Sequence, residues 1–389
     1  MHCFDYCRKT KIYFGAGRAA EIGKIAAGFG RKALYVTYDE KTAELLRLDE
    51  KILAPLRAEG IEVQTHYGVK SNPTLSHAKQ VLGAARDFQP DVIVAVGGGS
   101  VIDECKFISA CLHYDGEPWD FLEGKASVGE VTPIIAVVTM PATSSEMNDT
   151  AVISNEELER KDSFVSEKLV PAAALLDPEF TYGIPVRQTG YSATDIVSHL
   201  LEAYIVHQEP FVPMQNRYCE GMIKTIMDCM DRILENPGDQ DARAMFMWAA
   251  TNAWNGFYVC GLGQGNPAIH ILGHSLSAFY DTPHGAAMGI TIPAVFKYYM
   301  NERKARYARF ARQVFGVDED DDLRAAKKGL ELLTRWIRST GTPTNFAEAG
   351  IPTDRLDDLA KDALQTARAW GVGDLYTEQI CRDMFNYCL

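Results

Sequence analysis

Asp195 and His199 lie four residues apart in a stretch of helical pattern, and His270 and His274 repeat that spacing on a second stretch. Residues at i and i+4 project from the same side of a helix, so each pair can present two groups to one centre. His284 follows at the start of the next segment, behind Tyr280-Asp281-Thr282-Pro283. Imidazole and carboxylate are ligands for a divalent ion such as Fe2+, Zn2+ or Mn2+. A lone histidine is more often a core or surface residue. Here three of the nine histidines fall within 269–285 and a fourth belongs to an Asp-x-x-x-His pair. The pattern predicts a metal site drawn from Asp195, His199, His270, His274 and His284. Five candidates are one more than a compact site needs, and spacing alone leaves open which of them does something else.

A second constellation suits a nucleotide. Residues 91–96 run into Gly97-Gly98-Gly99-Ser100 and then Val101-Ile102-Asp103: a strand, a glycine turn and a helix start. Three glycines let backbone amides approach an anion, and the helix end adds positive potential, so pyrophosphate is the natural ligand. A plain tight turn would use the same residues. The spacing is not G-x-G-x-x-G, which implies a different nucleotide-binding architecture. Another strand, 33–37, ends in Tyr38-Asp39-Glu40. A carboxylate there accepts hydrogen bonds from ribose hydroxyls and repels a 2′-phosphate, favouring NAD over NADP. A polar turn from Thr139 to Asn148, after 133–138, suits phosphate or ribose, or equally a helix cap. A nucleotide turn together with a divalent metal points to redox chemistry at a carbon–oxygen bond. The metal would be a Lewis acid on the alcohol or aldehyde oxygen, and the nicotinamide would carry hydride.

Strands at 11–14, 33–37, 61–66, 91–96 and 133–138 alternate with helical patterns at 20–29, 41–58, 74–88 and 100–113. That alternation predicts a parallel sheet with ligands beyond the carboxyl ends of its strands. After Pro185 strand signals fade, and helical patterns occupy 192–206, 212–236, 241–258, 267–279, 302–314, 322–339 and 354–369. The expected organisation is an α/β dinucleotide-binding domain over 1–184 and an all-helical metal-binding domain over 185–389, with the active site in a cleft between them.

The 389 residues carry a net charge of −13, with 47% hydrophobic and 23% charged residues. That balance fits a soluble globular protein and argues against a nucleic-acid partner. Arg303, Lys304, Arg306, Arg309 and Arg312, beside the acidic run 318–322, read as solvated helix faces. Nine cysteines without a disulfide framework, and a start at Met1-His2-Cys3-Phe4-Asp5 with no apolar signal core, lead to the expectation of a cytoplasmic protein. No apolar run is long enough to cross a bilayer, so no membrane partner is expected.

With these motifs in view, the chain resembles the iron-containing (group III) alcohol dehydrogenase family, closest to its butanol dehydrogenase and aldehyde reductase branch. The resemblance covers nearly the whole chain. Phe14-Gly15-Ala16-Gly17, Ser71-Asn72-Pro73-Thr74, the block 97–106, Pro141–Asn148 and the Asp-His and His-His-His series carry it. It implies the architecture shared with dehydroquinate synthase: a nucleotide-binding α/β domain followed by a helical metal domain. It also implies Asp195, His199, His270 and His284 as metal ligands, with His274 orienting substrate or relaying a proton. Asp39, Gly97, Gly98, Gly99, Ser100, Asp103, Thr139, Thr143, Asn148 and Lys161 would contact the cofactor. The expected metal is iron, with zinc the alternative, and the expected assembly a homodimer.

Two departures from that branch stand out. Tyr38-Asp39-Glu40 replaces a glycine-rich turn that accepts NADPH, as in NAD-preferring members. Ser144 replaces a glycine; its hydroxyl can bond a phosphate while backbone approach becomes tighter. The reaction expected is hydride transfer between NAD(H) and a primary alcohol or aldehyde. Two alternatives fit less well: a lyase like dehydroquinate synthase, disfavoured by few basic residues near the metal motifs, and a non-enzymatic nucleotide-binding relic, disfavoured by the intact motifs.

Overall fold

A computed structural model of the chain describes residues 1–206, 211–263 and 265–389. Its strands are β1 (Lys11–Phe14), β2 (Lys32–Thr37), β3 (Glu62–Tyr67), β4 (Val92–Gly98), β5 (Ile134–Met140), β6 (Thr150–Asn155), β7 (Arg160–Val165) and β8 (Ala173–Leu176). Six of them form one sheet in the order β1-β8-β5-β4-β2-β3, every pairing parallel. β6 and β7 make a separate antiparallel hairpin.

Alternate residues of the sheet feed two hydrophobic layers, as parallel strands covered on both faces require. Leu34, Val36, Ile93, Ala95, Ala136 and Val138 pack with the helices Leu75–Phe88 and Gly99–Leu112 and with hairpin residues Ile153 and Phe164. Tyr35, Val94, Val96, Ile135 and Val137 pack on the other side against Ile22, Ile25 and Leu56. From β2 the chain moves outward to β3, and from β4 it moves the opposite way to β5. The strand order therefore reverses at the carboxyl ends of β2 and β4, where a doubly wound sheet opens a crevice.

The described residues form two compact units. One comprises Cys7–Ile184 and Gly238–Asn255; the other comprises Met1–Tyr6, Pro185–Pro237 and Gly256–Leu389. The first holds the parallel sheet with its helices, and the second is helical. The helix Gln240–Ala253, which the sequence reading assigned with the later helices, groups with the sheet. Its side chains explain why. Met247 enters the sheet's core, the buried Arg243 donates to the carbonyls of Thr181 and Ile184, and Thr251 Oγ1 donates to Glu146 at 2.6 Å.

In the helical unit, Val186–Val206, Ala268–Tyr280 and His284–Tyr298 pack on one another. A side chain at Gly285 would place its Cβ 2.1 Å from the Tyr191 carbonyl oxygen, so only glycine lets these two helices approach there. The basic stretch is engaged internally, Arg309 with Glu220 and Arg312 with Asp322, each at 2.8 Å. No helix among the described residues is long and apolar enough to cross a membrane.

Candidate functional site

The helix Val186–Val206 carries Asp195 and His199 on one face, both buried. Asp195 Oδ1 lies 3.7 Å from His199 Nε2, 3.8 Å from His270 Nε2 and 3.3 Å from His284 Nε2. His270 comes from the helix Ala268–Tyr280, and His284 opens the helix His284–Tyr298. The His199 and His270 rings stack, with centroids 4.7 Å apart and planes at 12°. Ligands bonded at about 2.1 Å to a tetrahedral ion stand roughly 3.4 Å from one another, close to the spacings seen here. Ligand atoms of Asp195, His199 and His270 all lie within 4.8 Å of one another.

Asp195 Oδ1 is buried and carries no hydrogen bond among the described residues. A buried carboxylate oxygen without a donor is costly unless a cation faces it, so the residues present fit a divalent metal. Burial opposes ionisation of Asp195, yet His199, His284 and His270 hold its carboxyl below the usual range. His199 is pushed down to about 3 by burial. Burial acts the same way on His270, but Glu202 and Asp195 outweigh it and raise that ring to about 9. His274 stands beside the group, its centroid 5.6 Å from that of His284 and 4.9 Å, edge-on, from that of Trp370.

The residues singled out for the nucleotide lie in the sheet unit, at and beyond the carboxyl ends of β2, β4 and β5 and on the hairpin. Gly98 stands at the N-cap position of the helix Gly99–Leu112 and, being glycine, gives it no side-chain cap. A Cβ on Gly99 would fall 2.2 Å from Thr143 Oγ1, so the turn is packed tightly by the neighbouring loop. These features fit an anion cradled by backbone amides. The side chains are already engaged. Asp39 Oδ1 caps the helix Glu40–Leu45 by accepting from Thr42 N at 3.1 Å, and Oδ2 accepts from Thr42 Oγ1 at 2.7 Å. Those bonds hold its exposed carboxyl below the ordinary value.

Ser100 Oγ donates to the Ser71 carbonyl, Ser145 Oγ donates to Asp103 Oδ1, and Lys161 Nζ donates to Asn72 Oδ1 at 2.9 Å. Asn148 accepts from the buried Lys106 at 2.8 Å and donates to the Thr143 carbonyl at 3.1 Å. Burial raises Asp103 to about 6, against the pull of Lys106 and Ser145.

Three residues change the sequence reading. Tyr38 Oη accepts the Gly98 N–H at 2.5 Å and lies 3.3 Å from Thr139 Oγ1, so one amide of the turn is occupied by the protein's own phenol. Ser144, in place of a glycine, carries a hydroxyl able to bond a phosphate. It has a φ of 52°, and its hydroxyl instead donates to the Ala250 carbonyl and accepts from Trp254 N at 2.9 Å. Glu202 was not singled out at all. Its Oε1 accepts from the His270 backbone N–H and its Oε2 pairs with His270 Nδ1, both at 2.8 Å. The available signal was its place seven residues after Asp195, on the same helix face.

Sequence comparison decides what the two clusters belong to. The iron-containing alcohol dehydrogenase model matches residues 9–178, and the C-terminal model of the same family matches residues 189–377. The chain belongs to the iron-containing alcohol dehydrogenase family. It is 31% identical over 369 residues to NADH-dependent butanol dehydrogenase A of Clostridium acetobutylicum, covering 94% of both chains. It is 30% identical to an NADPH-dependent aldehyde reductase of Escherichia coli K12, over 93% of this chain and 92% of that one. The crystal structure of NADH-dependent butanol dehydrogenase A from Thermotoga maritima superposes with a TM-score of 0.95 at 34% identity, over 100% of this chain and 99% of that one. Like the rest of its family, the chain is a metal-dependent alcohol oxidoreductase.

Proposed function

We propose that this enzyme interconverts a primary alcohol and its aldehyde with NAD(H), using iron, or alternatively zinc, held by Asp195, His199, His270 and His284. The observation that carries the reading is the buried Asp195 Oδ1, without a hydrogen bond and facing three imidazole nitrogens at 3.3–3.8 Å. When bound, the cation supplies Lewis-acid polarisation of the substrate oxygen, and the nicotinamide gives or takes the hydride.

The chain's own residues then have separable tasks. Asp195 contributes the negative charge that makes the site select a cation, and the imidazoles complete it. His274, packed against Trp370, holds the substrate oxygen in place and passes its proton through a ring nitrogen. Gly97 and Gly99 offer amides to the pyrophosphate, while Gly98, whose N–H goes to Tyr38 Oη, gives the turn its close approach. Ser100, Asp103, Thr139, Thr143, Asn148 and Lys161 shape the loops around it through the bonds described above.

Asp39 directs the choice of cofactor. Its carboxylate accepts from ribose hydroxyls and repels a 2′-phosphate, and the relatives' names include both NADH- and NADPH-dependent enzymes. A cytoplasmic homodimer acting on small alcohols and aldehydes completes the proposal.

The test is a panel of alcohols and aldehydes assayed with NAD(H) and NADP(H), with Fe2+ or Zn2+ added in turn. Butanol-like primary alcohols with NAD and Fe2+ are expected to give the highest kcat/KM. Asp39→Asn keeps a capping oxygen but removes the charge. It is expected to narrow the NAD-over-NADP preference by about tenfold, or 1.4 kcal/mol. An unchanged ratio would remove Asp39 from the account of cofactor choice.

A further inference from the structure

His270 is held by two bonds from a single carboxylate. The helix Ala268–Tyr280 has Pro267 at its N-cap position and no side-chain bond from that residue. The N–H of its third residue, His270, is the one an N-cap side chain ordinarily takes. Here Glu202 Oε1, from the helix Val186–Val206, takes it at 2.8 Å. The other oxygen, Oε2, faces His270 Nδ1 at the same distance, while Nε2 of the ring faces Asp195. Among the described residues Glu202 is thus a helix cap supplied from another helix and a partner to the imidazole.

We infer that Glu202 is a positioning residue for the metal: by accepting from both the backbone N–H and Nδ1–H of His270, it forces the ring tautomer whose Nε2 lone pair can coordinate. An ionised carboxylate can only accept, so Nδ1 must carry the proton. Such a partner fixes a ligating ring and raises its basicity. This inference rests on the proposed metal assignment.

A glutamine at 202 separates capping from tautomer control. If its carbonyl oxygen keeps the backbone N–H, its NH2 faces Nδ1. The ring then accepts there and carries its proton on Nε2, the atom needed by the metal. The opposite amide rotamer sets two donors against each other at the helix end. An alanine leaves the helix uncapped but the tautomer unconstrained.

The experiment titrates Zn2+ into the wild-type enzyme, Glu202→Gln, Glu202→Ala and His270→Ala against a chromogenic chelator, and follows thermal melting of each metal-free protein. Zinc affinity is expected to fall about a hundredfold in Glu202→Gln and about tenfold in Glu202→Ala. Melting is expected to rank the opposite way, with Glu202→Gln nearer to wild type. Wild-type zinc affinity in Glu202→Gln, or weaker binding by Glu202→Ala than by Glu202→Gln, would overturn the inference and leave a plain cap. Full zinc affinity in His270→Ala would overturn the metal assignment itself, whatever the Glu202 variants do.

Discussion

The histidine cluster and the glycine turn solve opposite problems. Around the turn, the candidate side chains already have protein partners: Asp39 with Thr42, Ser100 with Ser71, Asp103 with Ser145, Lys161 with Asn72. The geometry there is set by internal bonds and by the absence of side chains at three glycines. In the cluster, Asp195 keeps an oxygen that no described donor reaches. A polar site that is internally satisfied can stand alone, whereas one with a buried, unbonded carboxylate oxygen is completed by something of opposite charge. The contrast teaches that the turn is shaped by exclusion and the cluster by demand.

Substitutions can break that contrast. Asp195→Asn preserves volume and removes the charge. It is expected to release the metal and lower kcat/KM by about a thousandfold, several kcal/mol of transition-state stabilisation. Elemental analysis and NADH absorbance read the two effects, and retention of a full metal complement would end the argument from demand.

Gly99→Ala tests exclusion. Its Cβ would meet Thr143 Oγ1 at 2.2 Å and the stiff Thr143 Cβ at 2.9 Å, so the loop must move. NADH affinity, followed by its fluorescence, is expected to fall about tenfold while zinc affinity stays unchanged. Loss of both together would mean that the two regions do not act separately.

The effect confined to stability belongs to Asp103. Its folded pKa, about 6, lies above the ordinary 3.8 because the group is buried. A raised pKa favours the fold most below about pH 4, and that contribution is lost as pH rises through 6. Asp103→Asn cannot ionise and still accepts from Ser145. Urea midpoints should therefore show the variant more stable than wild type by about 1–2 kcal/mol at pH 7.5, with the gap closing toward pH 4. A gap independent of pH would assign the effect to packing.

Spacing served the sequence reading well wherever a period was intact. The alternation of strands and helices up to residue 140 announced the parallel sheet, and i, i+4 pairs announced Asp195, His199 and His270. What escaped lacked a period. β8 has only four residues, Ala173–Leu176, too short to show alternation. The helix His284–Tyr298 is buried almost all round from Gly285 to Phe296 and contains Pro293, so it shows no polar face and breaks the usual helical signal. Glu202 escaped because a carboxylate on a helix face is ordinarily read as solvated. The role of Ser144 was not legible either, because its backbone, at a φ of 52°, serves the loop, and its hydroxyl binds the distant helix Gln240–Ala253.

That helix has a consequence for how the molecule can be made and cut. It is encoded between segments of the helical unit, yet it bonds to Ser144, Glu146, Thr181 and Ile184 of the sheet unit. A gene fragment ending at residue 184 would express the sheet without Arg243, Met247 or the partners of Ser144. Exchanging the nucleotide-binding half between two relatives therefore requires two spliced segments. On the ribosome, the first unit is not complete until residue 255 has been translated, by which time Met1–Tyr6 and Pro185–Pro237 of the second have already been made.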